Sequence, residues 1–371
     1  MELSYWEYKS WLSDIDYTVV GSGIVGLSCA LHLKQTFPKA KVLVVEKGIL
    51  PQGASTKNAG FACFGSISEI LDDLQNHSED EVLGLVEKRY KGIQLLRKQL
   101  GDKALGYQKG SGHELFLQKD KALYDHCLES LEAINKLVSP IFGPNTFVKL
   151  SNTYGFNKVV DHYITNPMEG QIDTGDMVLS LLRKVQELGV LVLSGVSVEA
   201  YENTLDGVRI CTKEFEFKSS KLLIATNGFA SKILGDLVKP ARAQVLITEP
   251  IADLHIQGTF HLDKGYYYFR NVGNRILLGG GRNLDFKAEE TTEFGQTSLV
   301  QDHLEYLLKE VILPGKSFTI ASRWSGIMGV GPQKKPIIKE LSDGVYCGVR
   351  LGGMGIAIGS IVGKELAEIA Q

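Results

Sequence analysis

The sequence predicts an α/β plus α+β fold: a Rossmann-type parallel sheet assembled from separate parts of the chain, interrupted by a second domain of mixed or antiparallel sheet. Three observations carry that prediction. Tyr17–Lys47 reads as an apolar run, then Gly21-Ser22-Gly23-Ile24-Val25-Gly26, a helical pattern and a second apolar run, which is the order strand, glycine turn, helix, strand. Leu222–Gly228 (LLIATNG) is a fully apolar run ending in small residues, as a buried parallel strand requires. From Lys239 to about Gly329 the strand-like segments are turn-separated and hold no helix inside any of them, which is antiparallel behaviour.

The opening unit divides its work among named residues. Gly21 permits the tight turn, Gly23 lets the backbone approach a pyrophosphate, and Gly26 lets the helix pack close to the sheet. The helix entered through Ile24 and Val25 offers unpaired N–H groups and partial positive charge to phosphates. Glu46, followed by Lys47, ends the second strand where its carboxylate can accept from ribose hydroxyls. Gly48–Ser66 is dense in small residues and holds one positive charge, Lys57, which suits a backbone passing close to a flat ligand.

Two helical patterns fill Ile67–Leu100. The second, Asp80–Leu100, places Val82, Leu83, Val86, Tyr90, Ile93 and Leu96 at helical spacing. A strand-like Gly112–Gln118 follows, where a lone His113 reads as structural, and then a helix from about Ala122 to Leu137. Glu169–Gly195 reads as a turn, a helix capped by Asp173 or Thr174, and a buried strand. Along Gly265–Arg282, alternation puts Tyr266, Tyr268 and Arg270 on one sheet face and Tyr267 and Phe269 on the other. One face packs on helices; the other can line a cavity.

Bulk composition narrows the classes. At 371 residues the chain is long enough for about two domains. Its 22% charged and 44% hydrophobic residues describe a globular protein, and a net charge of −3 gives no reason to expect a surface that coats nucleic acid. Five widely spaced cysteines without a CxxC read as reduced thiols, neither a disulfide frame nor a zinc site. The N-terminal MELSYWEYKSWLSD lacks the apolar core of a secretory signal, and no run reaches the length of a membrane span. The expectation is a cytoplasmic protein with no metal.

The segment Gly53-Ala54-Ser55-Thr56-Lys57-Asn58-Ala59-Gly60 resembles the corresponding stretch of the D-amino-acid oxidase/glycine oxidase superfamily of FAD enzymes, most of all the branch containing γ-glutamylputrescine oxidase and related amine oxidoreductases. The resemblance implies FAD rather than NAD, with Ser55, Thr56, Lys57, Asn58, Ala59 and Gly60 running along the pyrophosphate and isoalloxazine. It further implies a strand from Leu191 leading to Val198 at the adenine, and Ala225, Thr226 and Gly228 returning beneath the cofactor. Trp324-Ser325-Gly326, Pro336, Val345–Val349 and Gly352-Gly353-Met354-Gly355-Ile356 resemble the family's C-terminal FAD segment, whose helix N-terminus stabilises negative charge on the reduced flavin. On this reading 1–85, 160–235 and 325–371 form the FAD-binding domain, and 86–159 and 236–324 the substrate domain, with Tyr266, Tyr268 and Arg270 facing substrate.

The implied reaction is hydride transfer from an amine-bearing carbon to flavin N5, with hydrolysis of the resulting imine. The amine must be neutral, which burial against aromatics favours by lowering its pKa. Departures from the family are informative. Ile327-Met328-Gly329 stand where amino-acid-oxidising members commonly carry a carboxylate-binding Arg, leaving Arg270, Arg323 and Arg350 as substitutes. The cysteine that carries covalent flavin in some relatives is missing, so FAD is expected to be non-covalent, and the missing Arg leaves substrates with and without an α-carboxylate both open. No oxygen-activating lysine is identifiable in Arg275–Gly279, so oxygen and other electron acceptors both stay open. GSGIVGLS and the Asn58-x-Gly60 spacing also look like the FAD-dependent 2-hydroxyglutarate dehydrogenase branch, and a relationship to the oxidoreductase half of tRNA wobble-uridine modification is a third reading.

Overall fold

Strand Ile15–Val20 pairs in parallel with Val42–Glu46 on one side and with Glu216–Ile224 on the other, so distant parts of the chain share one sheet. The computed structural model describes residues 2–371. Across this eight-stranded sheet the order is Val198–Thr204, Gly207–Thr212, Glu216–Ile224, Ile15–Val20, Val42–Glu46, Leu191–Ser194. Strand Glu216–Ile224 splits its duties along its length. Residues Glu216–Ser219 pair antiparallel with Gly207–Thr212, while Leu222–Ile224 pair in parallel with Val345–Val349, which brings its own hairpin partner Ile337–Ser342.

Helix Ile24–Thr36 is buried on nearly every side, because it lies between the sheet and the helices Thr174–Glu187 and Gly355–Ile369. An all-round apolar sequence such as IVGLSCALHL suits that position. The Asp173 carboxylate caps helix Thr174–Glu187 by accepting from Asp176 N at 2.9 Å. Helix Glu79–Leu100 starts with a Ser78/Glu81 capping box and stops at Gly101 (φ +82°), a left-handed position that favours glycine. Midway, Gly92 lets it touch the backbone of helix Gly355–Ile369: a Cβ there would collide with Ala357 O, and Ser360 Oγ donates to Gly92 O at 2.6 Å.

The second sheet also has eight strands, in the order Ile320–Val330, Lys239–Thr248, Arg275–Gly280, Tyr267–Val272, Thr259–Leu262, Gly112–Glu114, His162–Asn166, Val148–Ser151. Every pairing is antiparallel except Thr259–Leu262 with Gly112–Glu114, so the sheet is mixed. Its back face carries Phe260 and Phe269, stacked 4.6 Å apart and packed with Leu246, Leu278 and helix Ser298–Leu307.

The expected domain bounds at 160 and 325 cut across this sheet, since His162–Asn166 and the whole of Ile320–Val330 pair within it. The bound at 86 also divides one element: helix Glu79–Leu100 buries Val82, Val86, Ile93 and Leu96 in the same core as Ile356 and Ile358. The strand expected over Gly112–Gln118 stops at Glu114, with Leu117 making a single bridge to Val159. The helix expected over 122–137 is two, Lys121–Glu129 and Leu131–Phe142, separated at Ser130. Among the described residues no helix is long and apolar enough to cross a membrane.

Gly92→Val forces a branched side chain into the helix crossing and should cost roughly 1–3 kcal/mol or more, as overpacking does. Gly84→Ala, on the same helix with open space around its Cβ position, should instead add roughly 0.5–1 kcal/mol. Denaturant unfolding of the two variants checks the pair.

Candidate active site

One large cavity lies where the parallel sheet's glycine turns meet the front face of the second sheet. Its volume is about 1380 Å³, above the roughly 300–1,000 Å³ of a single-ligand pocket. It has room for a dinucleotide and a second small molecule.

Gly21 adopts φ +105° and donates its N–H to Val45 O at 2.8 Å, making the tight turn off the first strand. Gly26 fits under that turn, where a Cβ would strike Gly21 O; it packs helix to sheet and does not line the cavity. Ser55 Oγ accepts from Ile24 N at 2.9 Å, so the following loop is fastened to the start of the first helix. The Glu46 carboxylate accepts from Ser22 N (2.9 Å), Ser22 Oγ (2.8 Å) and Gly48 N (3.0 Å). It lines the cavity, and a carboxylate has about four acceptor positions, so one is left for a ribose hydroxyl.

Loop 53–60 is built by its own polar side chains. Asn58 Nδ2 donates to Ala54 O (3.0 Å) and Ser55 O (2.9 Å), while its Oδ1 accepts from Gly60 N (2.7 Å). Thr56 turns away from the cavity and donates to Pro51 O at 2.8 Å. Trp324 Nε1 donates to Lys57 O at 2.9 Å, pinning the loop to the second sheet, and the Lys57 ammonium lies 5.1 Å from the Phe294 ring centroid.

Of the residues expected to bind the cofactor, Gly21, Gly23, Ile24, Val25, Glu46, Lys47, Ser55, Lys57, Asn58, Ala59, Gly60, Val198, Ala225, Thr226, Gly326, Gly352, Gly353, Met354, Gly355 and Ile356 line this cavity. Gly26, Thr56 and Gly228 do not; Gly228 is a packing position, where a Cβ would meet Met328 O. Gly353 and Gly355 have open space around their Cβ positions at the start of the 15-residue helix Gly355–Ile369. That helix and helix Ile24–Thr36 both present N-terminal N–H groups to the cavity, as an anionic dinucleotide requires.

The second sheet contributes a row of side chains set by register. His261 pairs with Tyr268, and Tyr268 with Gly279, so the Tyr268 ring lies across the missing side chain of Gly279. Phe61 meets both edge-on, at 5.0 Å from His261 and 5.7 Å from Tyr268. Tyr266 and Tyr268 line the cavity as expected from alternation. Arg270 shares their face but not their role. Two residues further on, loop 59–60 covers the strand, and the buried guanidinium donates from Nε to Ala59 O and from Nη2 to Ile172 O at 3.0 Å. It braces that loop and lies outside the cavity lining, and burial pulls its pKa down to about 10.

The structure also brings in residues the sequence reading missed: Phe61, Cys63, Glu69, Arg89, His261 and Arg282. Arg89 had a legible signal. It sits at the buried position between Val86 and Ile93 in an otherwise apolar stripe, where a cation needs a partner. It donates to Met354 Sδ (2.9 Å), Phe64 O (3.0 Å) and Glu69 Oε1 (3.5 Å). Burial works against the charge of Glu69, yet Arg89 and Lys334 hold its pKa below the usual carboxylate range. His261 is kept neutral by burial, and its Nε2 has no partner among the described residues. Burial pushes the Tyr268 phenol up to about 12, so it too is neutral.

Burial favours the protonated form of two acids behind the site. Burial raises Glu169 to about 8 and Glu114 to about 7, although Glu169 accepts from Phe64 N (2.7 Å) and Glu114 from Ser68 N (3.2 Å). His113, as expected, is structural: its Nδ1 bonds Thr165 Oγ1 at 2.8 Å, and burial lowers it to about 4.

Comparison with known proteins follows the same outline. The family model described as FAD dependent oxidoreductase (DAO) matches residues 16–369. A relative from Bacillus subtilis (strain 168), the uncharacterized oxidoreductase YurR, is 24% identical over 368 residues, covering 95% of this chain and 94% of its own. Among solved structures, glycine oxidase from Geobacillus kaustophilus superposes with a TM-score of 0.75 at 18% identity, covering 96% of this chain and 95% of its own. L-proline dehydrogenase from P. horikoshii gives the same TM-score of 0.75 at 18% identity, over 96% and 93%.

Two outcomes test this site. Arg270→Gln strips charge-assisted bonds from two buried carbonyls and should cost about 1.5–3 kcal/mol, read by denaturant unfolding. For Glu114 and Glu169 the folded pKa lies above the ordinary 4.5, so the folded state binds more protons and stability falls as pH rises toward 8. His113 acts oppositely, but only below its ordinary value of 6.5. Between pH 6.5 and 8 the wild type should therefore lose melting temperature, and Glu169→Gln should lose less.

Proposed function

Because the chain belongs to the DAO family of FAD-dependent oxidoreductases, we infer that it oxidises the C–N bond of an amine or amino acid. When bound, FAD would accept the hydride of the amine-bearing carbon, and water would hydrolyse the resulting imine to a carbonyl compound and ammonia or an amine. The residues that fit its dinucleotide half are those of the glycine turn, Glu46 and loop 53–60.

The observation that carries the amine reading is the neutral, largely aromatic row Phe61, His261 and Tyr268 on the cavity wall. Neutral groups and burial favour the free amine over the ammonium, which holds the nitrogen lone pair available. The Tyr268 hydroxyl, neutral through the working pH range, can donate to the amine or to a neighbouring substrate oxygen. The similar glycine oxidase and proline dehydrogenase structures are in keeping with a nitrogen-bearing substrate. Cys63 is the one cysteine lining the cavity, and burial holds its thiol well above the ordinary range. A protonated thiol is a poor nucleophile, in keeping with non-covalent FAD. Five free cysteines suit the reducing cytoplasm.

The purified protein should be yellow, and acid precipitation should release all of its flavin into the supernatant. Anaerobic mixing with amines, amino acids, N-methyl amino acids and 2-hydroxy acids should bleach the flavin with a nitrogen-bearing compound and release ammonia or an amine. Bleaching by 2-hydroxy acids alone would overturn the C–N reading.

A further inference from the structure

We propose that Asp72 and Asp73 form an ion-pair latch with Lys264 and Lys334, which closes a mouth of the cavity on its second-sheet side and opens to pass small molecules. Such a latch serves any small molecule that enters the cavity, so it is independent of the C–N reading above.

Three separate parts of the chain meet at the latch. Asp72 and Asp73 stand in the last turn of helix Ile67–Leu74, and each takes a lysine from a different segment. Asp72 Oδ1 accepts from Lys264 Nζ at 2.7 Å, out of the turn that joins strands Thr259–Leu262 and Tyr267–Val272. Asp73 Oδ1 lies 2.5 Å from Lys334 Nζ, on the loop between Ile320–Val330 and Ile337–Ser342. Among the described residues no other hydrogen bond or ion pair joins either segment to this helix.

Their position makes these pairs a rim. Asp72, Lys264 and Lys334 line the cavity, yet their side chains are 40%, 39% and 42% exposed. A side chain that meets both cavity and solvent stands where one opens into the other. None of the three belongs to the glycine turns or to loop 53–60, and Lys264 lies two residues before Tyr266, which lines the cavity.

Little else holds the seam between turn and helix. The turn runs through three left-handed residues in a row, Asp263 (φ +49°), Lys264 (φ +53°) and Gly265 (φ +83°), and the first two lack glycine's freedom. A Cβ on Gly265 would meet only Glu69 Cδ, at 4.0 Å, so turn and helix are not packed together there. The root of the other loop is firmer: a Cβ on Gly331 would strike Arg350 Cδ, and Arg350 donates to Lys335 O at 2.8 Å. Exposed ion pairs contribute little stability and are screened by salt. A seam closed by such pairs opens readily, whereas one filled with apolar side chains does not.

The test uses holoprotein and charge-balanced variants, which keep the wild-type net charge. Lys264→Gln/Asp72→Asn removes the first pair, and Lys264→Asp/Asp72→Lys restores it in reverse. Lys364→Gln/Glu368→Gln removes a remote pair on the last helix as the control. Hydrogen exchange followed by mass spectrometry should run roughly twofold to fivefold faster over residues 262–268 in the first variant, the shift expected for one exposed ion pair. The reversed pair should return to near wild type, and the control should not differ from it. Anaerobic bleaching of the flavin by dithionite, at fixed ionic strength, should quicken by a similar factor in the first variant alone. In wild type, added salt should speed exchange over 262–268 relative to the last helix. Unchanged exchange in the first variant, no salt effect in wild type, or a reversed pair that stays as open as the first variant overturns the latch. Faster exchange with unchanged bleaching overturns its role as a mouth.

Discussion

The contact on which the cavity depends is the buried Arg270 guanidinium held between Ala59 O and Ile172 O. An isolated buried cation would be prohibitively costly, so this one sets its surroundings: two carbonyls from separate segments must converge on one strand of the second sheet. Loop 53–60 is thereby drawn onto that sheet, and Asn58 and the Trp324–Lys57 bond keep its path. The same loop touches the first helix through Ser55. One loop thus sets the distance between the glycine-turn side of the cavity and its second-sheet side.

The cavity wall separates two kinds of electrostatics. The row His261–Tyr268 is neutral because burial opposes charge on both side chains. Glu69 nearby keeps its charge because the Arg89 guanidinium faces it. Reaction at a neutral nitrogen benefits from the first environment, and orientation of polar substituents from the second.

Most of the dinucleotide half was legible in the sequence, because its signals are local: a glycine turn, an acid at a strand end and a small-residue loop lie within 17–60. The alternation of Gly265–Arg282 likewise put Tyr266 and Tyr268 on one face, and both line the cavity. Arg270 shows where such reasoning stops. Alternation assigns a face, but a loop more than two hundred residues away in sequence decides which part of that face is covered. His261 needed the pairing of Thr259–Leu262 with the next strand, and Arg282 needed a turn whose direction is set by two left-handed glycines. The domain bounds slipped for the same reason: strand partnership is a long-range property, and Ile320–Val330 runs as one strand past the boundary drawn inside it.

Helix Gly355–Ile369 and strand Val345–Val349 have a consequence for how the protein matures. The helix packs on both Ile24–Thr36 and Glu79–Leu100, and the strand pairs with Leu222–Ile224. Elements made early in translation therefore wait, with apolar faces open, for elements made late. On the ribosome the cavity wall stays incomplete until residues 345–369 have emerged.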